Sequence, residues 1–229
     1  MKTIGLLGGM SWESSIEYER LINTGVRERL GGTASADLII RSYNFAEIEA
    51  LQEAGQWDEA GQLLATDAAH LERAGADAIV LCTNTMHNVA DMISQMITIP
   101  LLHIADATAL AVAGIGVTSV AVLGTRYTME QEFYVGRLAD HGLDVAIPDE
   151  PDRTMIHDVI FEELVRGVLS ETSRQSYLEA VERLIEQGAQ GIIAGCTEIE
   201  LLIHPSDIAV PFFPTTSIHA TAAVDFALS

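Results

Sequence analysis

Ala74-Gly75-Ala76-Asp77-Ala78-Ile79-Val80-Leu81-Cys82-Thr83 and Gln187-Gly188-Ala189-Gln190-Gly191-Ile192-Ile193-Ala194-Gly195-Cys196 are the same pattern written twice in one chain. In each, a glycine closes a helical stretch, a short apolar run follows, and the run ends on a side chain able to do chemistry. Working outward, Thr3-Ile4-Gly5-Leu6-Leu7-Gly8 resembles Ser119-Val120-Ala121-Val122-Leu123-Gly124. The spacings agree: 75 residues separate Gly8 from Thr83, and 72 separate Gly124 from Cys196. Ile99-Pro100-Leu101-Leu102 then follows the first motif much as Val210-Pro211-Phe212-Phe213 follows the second. Three landmarks in the same order at nearly equal distances indicate an internal duplication.

The repeat sits in an alternation of strand-like and helix-like segments. Strands are expected at Thr3–Leu7, Asp37–Tyr43, Asp77–Cys82, Pro100–Ile104, Ser119–Leu123, Gly191–Ala194 and Val210–Phe213. Ser14-Ser15-Ile16-Glu17 fits a capping box opening a helix towards Arg29, and Gly75 closes the Asp58–Ala74 helix. The alternation predicts an α/β protein with largely parallel sheets. Two domains are expected, residues 1–99 with about 211–229, and residues 100–210. Ligands of such sheets sit beyond the carboxyl ends of the strands, so Thr83 and Cys196 are expected on opposite walls of one cleft. The competing reading is a purely architectural duplication with a site in one half.

The bulk properties exclude several classes. A chain of 229 residues, 48% of them hydrophobic and without low-complexity blocks, suits a globular protein. No apolar run approaches the ~20 residues of a membrane-spanning helix, and a strand is expected at the very N-terminus, so a cytoplasmic protein without membrane association is expected. A formal charge of −21 with 12 Lys and Arg argues against nucleic acid as a partner and is read as a solubilising surface. It also means that an anionic substrate needs local donors. Two cysteines make no disulfide framework and no zinc pattern, so no metal is expected.

Cys196, in Gly195-Cys196-Thr197-Glu198, follows a buried strand and precedes a helical turn whose N–H groups can favour a thiolate. A lone cysteine also serves as a small buried hydrophobe. Thr83-Asn84-Thr85-Met86-His87 can cap the next helix or grip a carboxylate or ammonium group, and His87 can orient a base or simply pack. Gly8-Gly9-Met10-Ser11 could cradle an anion, but it lacks GxGxxG, which leaves a dinucleotide oxidoreductase a minor alternative.

Taken together, Gly8-Gly9-Met10, Thr83-Asn84-Thr85-Met86-His87 and Gly195-Cys196-Thr197-Glu198 resemble the aspartate/glutamate racemase family over essentially the whole chain. The resemblance implies two similar doubly wound parallel-sheet domains related by pseudo-twofold symmetry, an active site in the cleft between them, a homodimer, and no pyridoxal phosphate, metal or other cofactor. It implies inversion of Cα of a free amino acid by proton transfer on two faces, and assigns Thr83 and Cys196 as catalytic. Met10, Ser11, Gln52, Asn84, Thr85, Thr125 and Thr197 are expected to line the substrate, with His87 and Glu198 behind them. Glu198 could tune Cys196 or merely start a helix.

The sequence departs from the family at Thr83, where typical members carry the first cysteine. Strand alternation turns Cys82 away from the direction of Thr83, so Cys82 is expected in the core. A hydroxyl is a far weaker acid than a thiol, so the Thr83/Cys196 pair is expected to be asymmetric, with water or His87 assisting Thr83. Phe45–Trp57 contains no Arg or Lys, and Leu164-Val165 stands where similar members often place a lysine. Aspartate, glutamate or a related amino acid therefore all fit as substrate. Alternatives are a hydantoin racemase, an enzyme of the maleate isomerase or decarboxylase type, or a non-catalytic small-molecule binding protein.

Overall fold

A computed structural model describes all residues, 1–229. The first stretch runs β1 (Ile4–Gly8), α1 (Trp12–Leu30), β2 (Leu38–Ser42), α2 (Phe45–Glu53), α3 (Trp57–Arg73), β3 (Ala78–Leu81), α4 (Ala90–Met96) and β4 (Leu101–Leu102). It continues through α5 (Ile104–Gly114), β5 (Ser119–Gly124), α6 (Arg126–Glu130), α7 (Glu132–Asp140), β6 (Asp144–Ala146), α8 (Asp152–Glu162) and α9 (Glu171–Glu186). The chain closes with β7 (Ile192–Gly195), α10 (Ile199–Leu202), β8 (Phe212–Pro214) and α11 (Thr215–Leu228). The strands form two all-parallel four-stranded sheets of the same topology, β2-β1-β3-β4 and β6-β5-β7-β8.

The central strands are wholly buried runs, Ile4-Gly5-Leu6-Leu7-Gly8 and Ala78-Ile79-Val80-Leu81, because helices cover both faces of the first sheet. Ile79 and Leu81 pack with Ile48 of α2 and Leu64 and Ala68 of α3. Ala78, Val80 and Cys82, pointing the other way, pack with Tyr18, Ile22 and Val26 of α1 and with Ala223 and Val224 of α11. Cys82 is completely buried there, and burial pushes its thiol pKa far up. In the second sheet Ala121, Leu123, Ile192 and Ala194 pack with Ile156 and Ile160 of α8 and with Tyr177 and Val181 of α9.

Three details differ from the sequence expectations. The compact units divide after Ile104 and after Thr215, not near 99 and 210. The reason is that β4 pairs with β3 and β8 with β7, so each fourth strand stays in its own sheet. Helix α1 is capped by Ser11, whose Oγ accepts the Ser14 N–H at 3.3 Å, so the helix starts ahead of the expected box. Strand β6 was not anticipated, since only three residues pair with β5 and Asp144 faces water.

Helix α11 belongs to the first unit although it ends the chain. Its fully buried His219 takes a hydrogen bond on Nδ1 from the Tyr18 hydroxyl (2.8 Å) and donates from Nε2 to the Leu102 carbonyl (2.7 Å). A carbonyl only accepts, which fixes the neutral Nε2–H tautomer. Burial holds this imidazole down to about 4, against an ordinary 6.5. The unfolded chain therefore takes up a proton first as pH falls, and stability is lost between pH 6.5 and about 4 by roughly 3 kcal/mol in total. Thermal unfolding of the wild type across that window should show the loss. His219→Gln, less stable at neutral pH, should show a shallower pH slope over the same range.

Candidate active site

The first strand-end cluster begins where β1 stops. Gly9 has φ +86, and a Cβ there would collide with the Tyr43 main chain, so only glycine allows the loop to lie against the start of α2. The Gly9 N–H donates to Ser15 Oγ (2.5 Å), while Ser15 Oγ donates to the Ser11 carbonyl (2.9 Å). The side chain of Met10 is part of the core beside Leu7 and Ile48, and that of Ser11 caps α1. Gln52 shares the inward face of α2 with Ile48, and its Nε2 lies 3.0 Å from Met86 Sδ. Asn84, Thr85 and Met86 are buried in the turn after β3, which brings Gln52 to the Asn84–His87 stretch.

Thr83 leaves the strand in a tight turn, its N–H donating to the Leu81 carbonyl at 2.9 Å. Its own carbonyl accepts from His87 Nδ1 at 2.7 Å, and His87 Nε2 accepts the Ile104 N–H at 3.2 Å. Both ring nitrogens therefore serve the main chain. The expectation that His87 assists the Thr83 hydroxyl is corrected: the imidazole instead fixes the backbone that carries Thr83.

The second cluster is built on the equivalent strands. Leu7 pairs with Leu81 in the first sheet, and Leu123 pairs with Ala194 and Gly124 with Gly195 in the second. Since β1 and β5 correspond, this register makes Cys82 equivalent to Gly195 and Thr83 equivalent to Cys196. Gly195 has no room for a side chain, because a Cβ would sit 3.0 Å from the Leu123 carbonyl oxygen and 3.1 Å from Thr128 Cγ2. Thr128 is itself tied to Thr125, whose Oγ1 accepts the Thr128 N–H at 3.4 Å and caps α6. Thr125 and Cys196 thus leave adjacent strand ends, with Thr197 half-buried beside them.

Cys196 Sγ lies 3.0 Å from Glu198 Oε2, and Glu198 is buried. Burial first, then the Glu198 carboxylate, push the thiol pKa well above its usual value. The Glu198 backbone N–H pulls the other way but is outweighed, and α10 adds little, having only four residues with its first N–H donating to the Cys196 carbonyl (3.1 Å). The reading that this turn can favour a thiolate is therefore corrected: the group is a thiol donating to Glu198.

Two side chains near this end were not singled out from sequence. Arg126 follows Thr125 and, in the repeat, matches Met10, a correspondence the alignment of the halves already contains. His157 on α8 accepts the Arg126 N–H through Nδ1 at 3.2 Å. Arg166, by contrast, lies exposed in the turn after α8.

Similarity to known proteins shows the family. The family described as Asp/Glu/hydantoin racemase matches residues 7–223. A candidate Asp/Glu racemase from Yersinia pestis is 54% identical, with a TM-score of 0.95 and full coverage of both chains. An aspartate racemase homologue from Pyrococcus horikoshii OT3 is 33% identical, with a TM-score of 0.87 and full coverage of both. The broad specificity amino-acid racemase RacX of Bacillus subtilis is 25% identical over 174 residues, 73% of this chain and 72% of that protein.

The contact between Cys196 and Glu198 gives a direct test. Glu198→Gln removes the negative charge facing the sulfur, so more thiolate forms at a given pH. Alkylation of Cys196 by iodoacetamide at pH 8, followed by mass spectrometry, should run several-fold faster in this variant, because the carboxylate that holds the thiol protonated is gone. Cys82 should stay unmodified in both proteins.

Proposed function

The chain belongs to the Asp/Glu/hydantoin racemase family, and from that premise we propose that it is an amino-acid racemase that works without a cofactor, using Cys196 and Thr83 on the two faces of Cα. The observation that carries the proposal is the register of the two sheets, which puts these two residues at equivalent strand ends. Asn84, Thr85, Thr125 and Thr197 supply small polar groups around them for an amino acid's carboxylate and ammonium.

The two ends are unequally equipped. The Cys196 thiol becomes a base when its proton passes to the Glu198 carboxylate across their 3.0 Å contact. The thiolate then takes the Cα proton, and the electron pair left on the substrate is delocalised into its carboxylate. A proton arrives on the other face from the Thr83 side, where water replenishes the hydroxyl. In the opposite direction Cys196 is already protonated and acts as the acid, while Thr83 is a poor base at neutral pH. The racemase is therefore directional.

A single reactive thiol also suits relatives that use one cysteine, such as a hydantoin racemase or a maleate isomerase or decarboxylase type. Activity on free amino acids separates the readings. Initial rates from the D and L enantiomers of aspartate, glutamate and neutral analogues should differ markedly within a pair, and Cys196→Ser should lower Cα–H exchange in deuterated water by about 10²–10⁴-fold. Thr83→Cys should raise the slower direction about tenfold or more and bring the two rates together. Equal wild-type rates, or exchange undisturbed in Cys196→Ser, would overturn this mechanism.

A further inference from the structure

We infer that Arg126 is the residue that selects an acidic amino acid, by holding the carboxylate of the substrate's side chain. The inference rests on the racemase reading for the bound amino acid and adds the substrate class.

The chain has 12 basic residues and a net charge of −21, so an acidic substrate meets an unfavourable overall field unless a cation stands at the site. Most arginines of the fold are committed to carboxylates. Arg137 grips Asp106 with two bonds of 2.7 Å, Arg183 grips Asp152 at 2.7 and 2.8 Å, and Arg174 reaches Asp207 at 2.6 Å. Arg41, at the end of β2, is held by Asp67 at 2.9 Å and by the Ser42 carbonyl at 2.7 Å, with its guanidinium stacked on Tyr43.

Arg126 differs in place and in pairing. It lies two residues beyond Gly124, whose partner Gly195 immediately precedes Cys196, so it stands at the strand ends where ligands of such sheets bind. One guanidinium nitrogen donates to the uncharged Thr154 Oγ1 at 3.3 Å, while Nε is buried and makes no hydrogen bond. Its one carboxylate partner, Glu130, is held in a long ion pair of 3.8 Å through an oxygen that lies closer to Arg153, at 2.9 Å. The side chain is 44% exposed, leaving the fork open to a ligand. His157 anchors the main chain of Arg126, so the base of the side chain is fixed in position. A guanidinium held from below with donors unspent is suited to a carboxylate, and an uncharged side-chain amide offers it much less.

Equilibrium binding of L-aspartate, L-glutamate and L-asparagine, measured by calorimetry, tests this together with Cα–H exchange on the same ligands. The proteins are wild type, Arg126→Gln and Arg126→Lys, each checked for unchanged thermal unfolding. Arg126→Gln should weaken binding of the preferred acid by about tenfold or more, the worth of a charge-assisted pair, and leave asparagine unchanged, with partial recovery in Arg126→Lys. Equal weakening of all three ligands, no weakening at all, or a wild type that binds asparagine as tightly as either acid or binds neither acid overturns the inference. Acid binding that depends on Arg126 without Cα–H exchange would sink the racemase reading and leave this one standing. Exchange confined to neutral amino acids would do the reverse.

Discussion

Everything at the site depends on parallel strand register. In each sheet the first strand is paired on one side with the third, and the pairing is the same in both: Leu7 with Leu81, Leu123 with Ala194. Side chains alternate along a strand, so this register decides which residue is packed into helices and which is delivered at the strand end. A slip of one residue would bring Cys82 to the chemically useful position and push Thr83 onward. The ladder forbids it, because Cys82 shares the face of Ala78 and Val80 beneath α1 and α11. The chain thus contains two cysteines and presents one.

The same register explains how the two ends come to differ. At the first, the turn is pinned by main-chain bonds, with His87 spending both nitrogens on carbonyl and amide partners. Thr83 is held in place, and the ionisable side chain in those contacts, His87, bonds to main-chain groups and not to the hydroxyl. At the second, a buried carboxylate faces the sulfur directly. Position is duplicated by the repeat, whereas proton affinity is set separately by what stands within a few ångströms of each end.

The strands were legible because their apolar runs are short, continuous and repeated in order. Strand β6 escaped because Asp144-Val145-Ala146 carries almost no pattern, its place being set by pairing with β5. The domain boundaries shifted by a few residues for a related reason: sequence shows where a strand is, and partnership shows to which sheet it belongs. The equivalence of the Thr83 and Cys196 strand ends could be read from the repeat. The state of the Cys196 thiol could not, since it depends on how Glu198 folds back onto the sulfur. Nor could the loose pairing of Arg126, since the Glu130 oxygen it shares lies closer to Arg153.

The discontinuity of the first unit bears on how the chain is made. The second unit is one uninterrupted stretch, whereas the first needs α11, from the far end of the chain. That helix buries Ala220, Ala223 and Val224 against Tyr18, Ile22 and Val26, and its last turn takes the Lys2 N–H on the Ala227 carbonyl at 2.9 Å. On a ribosome the N-terminal strands emerge first, yet the face of their sheet that α1 covers in part is completed only when α11 follows. The middle of the protein is complete earlier than its beginning. Until α11 is made the nascent chain therefore carries an incompletely covered apolar face, which is the kind of surface that holdase chaperones recognise.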